Sequence, residues 1–288
     1  MKYIVRYALL LSAVAFLLPG CAGSLKSEGD KPEIFVSIAP LKALIEEITG
    51  NDFEIKVLVP SGASPESYEP SLRQFTELNN SALVFSVGLI DFEKSLVSKV
   101  SDCSKVVDLS TGIDLIAGNC SHNHHGHTHT HGVDPHIWSS PRTLKVMAAN
   151  AYGSIHALYP DSVKYDKAYD NLCRRLNELD ATVSDICANA EHRYFVIYHP
   201  ALTYLARDYG LEQISIEHEG KEPGAKHIAG IIDRARKDGV KKIFYQSQFP
   251  RSVVETIADD IGAEPVEIDP LSEDLFGNLE HITRIITE

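Results

Sequence analysis

The sequence lacks the features that mark nucleic-acid-binding proteins and thiolate zinc proteins. Its 288 residues include 27 Lys and Arg against 40 Asp and Glu, a formal net charge of −13, so no basic field is available for nucleic acid. Its five cysteines form no CxxC pair, which argues against a thiolate zinc site. Hydrophobic residues make up 44% and charged residues 23%, which excludes a disordered or collagen-like chain. The composition is that of an acidic globular protein with one large domain or two smaller ones.

Long apolar segments are also scarce. The apolar run over residues 8–18 is shorter than the roughly 20 residues that a membrane-spanning helix requires. Because it follows two basic residues and ends just before Cys21, it is typical of an export signal with a bacterial lipoprotein cleavage site. We therefore expect residues 1–20 to be a lipoprotein signal peptide, Cys21 to carry the lipid, and residues 21–32 to form a flexible tether.

The remaining four cysteines give limited information about disulfides. Cys173 and Cys187 are predicted to share one helix, where a separation of roughly 20 Å prevents a bond between them. Cys103 and Cys120 flank a strand and a loop, and outside the cytoplasm they could pair. The sequence leaves the state of this second pair open.

Short apolar segments alternate with helical patterns in two blocks, residues 33–140 and residues 191–288. The predicted strands are Ile34–Ile38, Phe53–Val59, Ala82–Val87, Lys105–Leu109, Tyr194–Tyr198, Gln213–Ile216, Lys242–Gln246 and Pro265–Ile268. Helical patterns lie between most of these strands. Such an alternation indicates parallel sheets flanked by helices in both blocks.

The segment between the blocks, residues 141–190, has no strand pattern and is divided by Pro160. The helix predicted after this proline runs for about 30 residues, or roughly 45 Å. The sequence therefore predicts an α/β protein of two lobes, each with a parallel sheet, joined by a long rigid helix. Ligands of open parallel sheets bind beyond the carboxyl ends of the strands, which places the expected site in the cleft between the lobes.

Four side chains that can bind metal ions follow predicted strands, two in each lobe. They are Glu66, His136, His199 and Asp269. Two imidazoles with two carboxylates favour a divalent transition metal, whereas carboxylates alone would favour calcium or magnesium. Each residue taken alone has an ordinary alternative, and an Asp before Pro, as at Asp269, is typical of a turn. Their joint placement predicts a metal cleft.

A second group of possible metal ligands is a tract in which six of the 13 histidines fall within ten residues. These are His122, His124, His125, His127, His129 and His131. Histidine-rich tracts bind metals, and near neutral pH such imidazoles are largely uncharged. We therefore expect residues 120–132 to form a flexible auxiliary loop that captures metal.

Several motifs, in order, resemble the zinc/manganese group of solute-binding proteins that serve ABC importers. The similar stretches, which span residues 33–288, are VSIAPLKALIEEITG, VLVPSGASPESYEPS, SALVFSVGL, VVDLSTGIDLI, DPHIWSSP, YHPALTYLARDYGL and VEIDPL. The resemblance implies two α/β lobes joined by a long rigid helix, in agreement with the alternation of elements. The histidine-rich loop resembles that of the zinc-specific branch.

The resemblance also implies metal ligands. His136 in DPHIW, His199 in YHPA and Asp269 in IDPL match the family's ligand positions, whereas SPESYEP has Glu66 where the family has a histidine. The acid usual after DPHxW is absent, since Ser139 and Ser140 stand there.

The choice of metal follows from this set. Two histidines with two carboxylates have the composition of the manganese-type branch, but mixed N/O sites bind zinc more tightly than manganese. We therefore predict Zn²⁺, with Mn²⁺ as the alternative. If Glu66 points away from the cleft, His218, after the Gln213–Ile216 strand, is the alternative ligand.

The leading hypothesis is therefore a binding protein and not an enzyme. A monomer anchored outside the cytoplasm by its lipid would capture zinc and deliver it to an ABC permease and its ATPase. Three alternatives remain open. A zinc-dependent hydrolase would use a metal-bound water, a zinc buffer would rely on the histidine tract, and a surface lipoprotein could also act in cell adhesion.

Overall fold

The computed structural model describes residues 31–118, 123–124, 127–128, 132–217 and 224–288. Within it, Pro32–Glu288 forms one compact unit. Some of the residues singled out above lie outside the described residues: Cys21, Cys120, His122, His125, His129, His131 and His218.

The N-terminal lobe contains a four-stranded parallel sheet with strand order β2-β1-β3-β4. Its elements are β1 (Glu33–Val36), α1 (Ala39–Thr49), β2 (Glu54–Val57), α2 (Leu72–Asn80), β3 (Leu83–Ser86), α3 (Asp91–Val97) and β4 (Val106–Asp108). Strand β3 is buried along its whole length, which explains why it reads as an unbroken apolar run. Helix α1 has a proline in its first turn and is followed by Gly50, whose φ of 58° suits a residue without a side chain.

Two short antiparallel pairs follow β4. Strand β5 (Ala117–Gly118) pairs with β8 (Gly132–Val133), and β6 (Asn123–His124) pairs with β7 (His127–Thr128). The β5–β8 pair joins the two ends of the histidine-rich segment.

Two helices occupy the middle of the chain and contact each other extensively. They are α4 (Pro141–Leu158) and α5 (Val163–Ala188). Helix α5 has 26 residues, or about 39 Å of length. The break between the helices falls at Pro160, as the sequence predicts. Cys173 and Cys187 both lie on α5 as free thiols, and Cys103 has no disulfide partner among the described residues, which do not include Cys120.

The C-terminal lobe repeats the architecture of the first, with strand order β10-β9-β11-β12. Its elements are β9 (Tyr194–Ile197), α6 (Thr203–Tyr209), β10 (Glu212–Ser215), α7 (Ala225–Asp238), β11 (Lys242–Tyr245), α8 (Arg251–Ile261), β12 (Glu264–Glu267) and α9 (Leu275–Thr287). Helix α9 packs on α5, β9 and α1.

One hydrophobic core runs through both lobes. It includes Phe85 of β3, Leu176 of α5 and Ile197 of β9, all fully buried. A second, smaller core lies on the other face of the C-terminal sheet, beneath α7 and α8. The structure therefore has the predicted fold of two parallel-sheet lobes and a long helix, and the helix belongs to the same core as the sheets. No helix in the described ranges has the length and hydrophobicity needed to span a membrane.

Candidate metal centre

Three of the predicted ligands lie just beyond the carboxyl ends of strands or in the loop that leads to α4. Glu66 lies in a 3₁₀ turn, Pro65–Ser67, in the loop after β2. His136 directly precedes a second 3₁₀ turn, Ile137–Ser139. His199 comes two residues after β9. The parallel sheets thus bring together residues that are far apart in the sequence.

The ligand atoms of these three residues converge. One oxygen or nitrogen from each of Glu66, His136 and His199 lies within 4.8 Å of the others. The two Nε2 atoms are 3.1 Å apart, and Glu66 Oε1 is 3.3 Å from His199 Nε2. Ligands of a tetrahedral zinc ion at about 2.0–2.1 Å are about 3.3 Å from one another. The two distances from His199 Nε2 therefore fit one zinc-sized ion.

Two further carboxylates orient the imidazoles. Asp134 Oδ1 is 2.9 Å from His136 Nδ1, and Glu217 Oε2 is 2.7 Å from His199 Nδ1. Each carboxylate accepts a hydrogen bond from Nδ1–H, so both Nε2 atoms are left with a lone pair for a metal. The sequence alone indicates a role for neither acid, although Asp134 precedes His136 by two residues and Glu217 follows β10.

The electrostatics of the site favour a positive charge. Burial disfavours protonation of His199, but hydrogen bonds from the ring to Glu217 and Glu66 outweigh burial and raise the pKa of His199 to about 9. Burial also opposes ionisation of Asp134, but the charge on His136 and its hydrogen bonds lower the pKa of that carboxyl below its usual value. Without a metal, a proton can therefore offset the repulsion between the facing lone pairs.

Apolar and aromatic side chains enclose the ligands. Trp138 packs against the His136 ring at a centroid distance of 5.2 Å, and its Nε1 donates to the main-chain oxygen of Pro270. Phe249 stacks on the His199 ring at 4.7 Å. Such apolar walls lower the local dielectric constant and strengthen electrostatic interactions inside the cavity.

Asp269 is not brought into this group. Its ligand oxygens are not among the atoms that lie within 4.8 Å of one another, and the residue is exposed. Its Oδ1 instead accepts a hydrogen bond from the Leu271 N–H, and its main-chain oxygen accepts one from Asn278. The geometry thus gives Asp269 the local turn role that an Asp before Pro often has, and does not reproduce its expected role as fourth ligand.

The other expected ligands are only partly within the described residues. His218 lies outside them, so the expectation that it can replace Glu66 stays a prediction. His124 and His127 pair through their backbones in β6 and β7, and the other four histidines of the tract lie outside the described ranges. The metal-capturing role of the tract also stays a prediction.

The family and the relatives that this chain resembles are described as zinc-uptake or zinc-binding proteins. The sequence model of the family described as "Zinc-uptake complex component A periplasmic" (ZnuA) matches residues 34–288. The chain is 29% identical over 264 residues to the zinc-binding protein AdcA of Streptococcus pyogenes serotype M3, with 84% of this chain and 50% of AdcA aligned. The chain thus spans about half the length of that relative. It is 28% identical over 277 residues to the high-affinity zinc uptake system protein ZnuA of Bacillus subtilis, covering 91% of this chain and 87% of that protein.

Solved structures of zinc-binding proteins have a fold similar to that of this chain. A zinc-bound crystal structure of a ZnuA deletion mutant has a TM-score of 0.81 at 31% identity and covers 90% of this chain and 97% of that chain. The periplasmic zinc-binding protein TroA from Treponema pallidum has a TM-score of 0.76 at 21% identity, covers 89% and 98% of the two chains, and supports the fold alone. Because the family model extends over nearly all of the compact unit, the chain belongs to the ZnuA family.

Proposed function

We propose that this protein binds one Zn²⁺ ion at Glu66, His136 and His199 and delivers it to the permease of an ABC importer. The observation that carries the proposal is the convergence of three ligand atoms within 4.8 Å, two of them imidazole Nε2 atoms turned inward by buried carboxylates. A surface acidic cluster does not produce such an arrangement, because both orienting acids are buried.

The donor set supports zinc as the ion. Calcium and magnesium prefer oxygen ligands in sets of six or more, whereas imidazole suits zinc and its neighbours in the transition series. The donor spacing of 3.1–3.3 Å fits a four-coordinate ion. Manganese remains the competing cargo, and it is weaker than zinc in the general affinity order.

The transport role rests on the family. The chain would act outside the cytoplasm, held by a lipid on Cys21, and would present its loaded form as a monomer to the permease, which an ATPase drives. The histidine-rich tract, which leaves and returns through the β5–β8 pair, would raise the local supply of zinc without being part of the central site.

Competitive titration of the purified protein with Zn²⁺ and Mn²⁺ tests the proposal. Glu66→Gln removes the anionic ligand and should weaken zinc binding by at least about 100-fold, since even outer carboxylates change metal affinity by 10–100-fold. Glu69→Gln is the matched control, because Glu69 is an exposed acid in the same loop. Deletion of residues 119–131 should leave one tight zinc site.

Three results would contradict parts of the proposal. Loss of all tight zinc binding on deletion of the loop would show that the histidine tract, and not the central site, binds zinc. Tighter binding of Mn²⁺ than Zn²⁺ would change the cargo. If the zinc-loaded protein stimulates its permease-coupled ATPase in proteoliposomes no more than the metal-free protein does, the delivery step is wrong.

A further inference from the structure

Gln246 is a buried polar residue of the metal cavity that the ligand motifs do not include. It directly follows β11 and is 3% exposed. Its Nε2 donates a hydrogen bond of 3.0 Å to the main-chain oxygen of His199. Because a carbonyl oxygen can only accept, this contact fixes which end of the amide faces His199. The Oε1 atom must therefore point elsewhere.

The Oε1 atom of Gln246 has no hydrogen-bond donor among the described residues. A buried acceptor without a donor is unfavourable and is rare in folded proteins. Gln246 lines the same cavity as Glu66, His136 and His199. Gln246 Oε1 is therefore an unsatisfied acceptor on a residue that lines the metal-binding cavity, and its burial there lowers the stability of the folded protein.

The cavity has room for more than an ion. Its free volume is about 40 Å³, whereas one water molecule needs about 10–15 Å³ of such space. Three protein ligands leave one position open on a four-coordinate zinc ion. Asp269, the expected fourth ligand, is exposed and engaged with Leu271.

We propose that Gln246 is a positioning residue of the metal centre, whose Oε1 accepts a hydrogen bond from a water molecule in the fourth coordination position of the bound ion. The inference rests on the proposed metal-binding function. It assigns the site three protein ligands and one held water in place of four protein ligands. The hydrogen bond from Gln246 Nε2 to the His199 main-chain oxygen holds Oε1 at a fixed distance from this ligand residue.

Two substitutions at Gln246 separate this role from a structural one. Gln246→Met keeps the length of the side chain and removes both polar contacts, whereas Gln246→Glu keeps an acceptor and adds a negative charge. Gln248→Met is the matched control, because Gln248 is half-buried and lines the same cavity. Cobalt(II), whose visible spectrum reports its ligands, replaces zinc, and azide is the probe that displaces a bound water.

The expected shifts have opposite signs in the two variants. In Gln246→Met the water loses a hydrogen bond, so azide should bind the cobalt-loaded protein about fivefold more tightly, and the zinc dissociation constant should rise about tenfold. In Gln246→Glu the carboxylate holds the water and repels the anion, so azide should bind about tenfold more weakly. A purely structural role through the His199 contact would shift both variants in the same direction.

The outcomes distinguish this inference from the proposed function. Absence of tight zinc binding by the unmodified protein overturns both. Tight zinc binding with a cobalt spectrum that azide does not change overturns the held water alone. Shifts of the same sign in both Gln246 variants, or an equal shift in Gln248→Met, overturn the role of Gln246.

Discussion

The substitution Glu217→Gln removes one charge beside His199 and changes little in shape. Glu217 Oε2 lies 2.7 Å from His199 Nδ1, and the Glu217 side chain is 9% exposed. Glutamine can still accept the hydrogen bond from Nδ1–H, so the ring keeps its orientation. The charge that makes the imidazole a stronger ligand is lost.

Two effects of this substitution oppose each other near neutral pH. With a pKa of about 9, His199 is protonated at pH 7, and competition by that proton lowers the apparent zinc affinity about 100-fold. Glu217→Gln lowers the pKa of His199 and relieves part of this competition. Above pH 9 only the weaker ligand remains, which costs about 10–100-fold in affinity. We therefore expect the defect of the variant to be small at pH 7 and large at pH 9.5.

The measurement is a set of zinc dissociation constants from pH 6.5 to 9.5, obtained by competition with a chelator of known pH dependence. The affinity of the unmodified protein should rise about tenfold per pH unit between pH 7 and 9 and then level off. Glu212→Gln is the control, because Glu212 lies on β10, just before Glu217 in the chain, but is 57% exposed and paired with Arg234. A Glu217→Gln defect of equal size at every pH would show that the acid does not control the proton on His199.

Three further predictions concern stability. The pKa of His199 in the folded protein, about 9, lies above its ordinary value of 6.5. Protonation of His199 therefore stabilises the folded state fully below pH 6.5, and this stabilisation is lost as pH rises through 9. Calorimetry should show the Tm of the metal-free protein falling between pH 6.5 and 9, and the increase in Tm on adding zinc becoming larger over the same range. Gly88→Ala should lower the free energy of unfolding, measured in urea, by at least about 2 kcal/mol, because Gly88 has a φ of +84° and the new Cβ would lie 2.0 Å from Asp108 Oδ1. An unchanged urea midpoint of unfolding would show that this clash does not occur. Tyr204→Phe should cost about 1–2 kcal/mol in the same assay, because the hydroxyl is buried and donates to the Asp134 main-chain oxygen at 2.8 Å.

Most of the fold could be predicted from the sequence because its strands are short, apolar and regularly spaced. The strand predicted at Tyr194–Tyr198 is observed at Tyr194–Ile197, and the other seven agree within a few residues. The sequence predicts no bounds for helix α9, although its buried residues Leu275, Leu279, Ile282 and Ile286 follow helical spacing. Gly277 in its first turn weakens that pattern, and Asp274 compensates by accepting a hydrogen bond from the Gly277 N–H.

The site was predictable only where a residue type is itself a metal ligand. His136, His199 and Glu66, which the structure brings together, could be proposed as ligands because each follows a strand and can bind a metal ion. Asp269 met the same criteria, but its Oδ1 accepts a hydrogen bond from the Leu271 N–H and the residue is not brought into the group, so its role as a ligand stays a prediction. Glu217 and Gln246 act through other residues, so their roles depend on contacts that only the folded chain shows.

The β5–β8 pair has a consequence for how the molecule can be altered. The chain departs at Ala117 and returns at Val133, which are direct partners in the register, and the Asp134 N–H then donates to the Ile116 carbonyl at 2.9 Å. A segment whose two ends are joined in this way can be lengthened, shortened or exchanged at little entropic cost. His136 keeps its position throughout, because it lies on the folded side of that closure. The same junction is therefore a suitable place to insert a fluorescent reporter domain, close in sequence to His136 of the candidate metal centre.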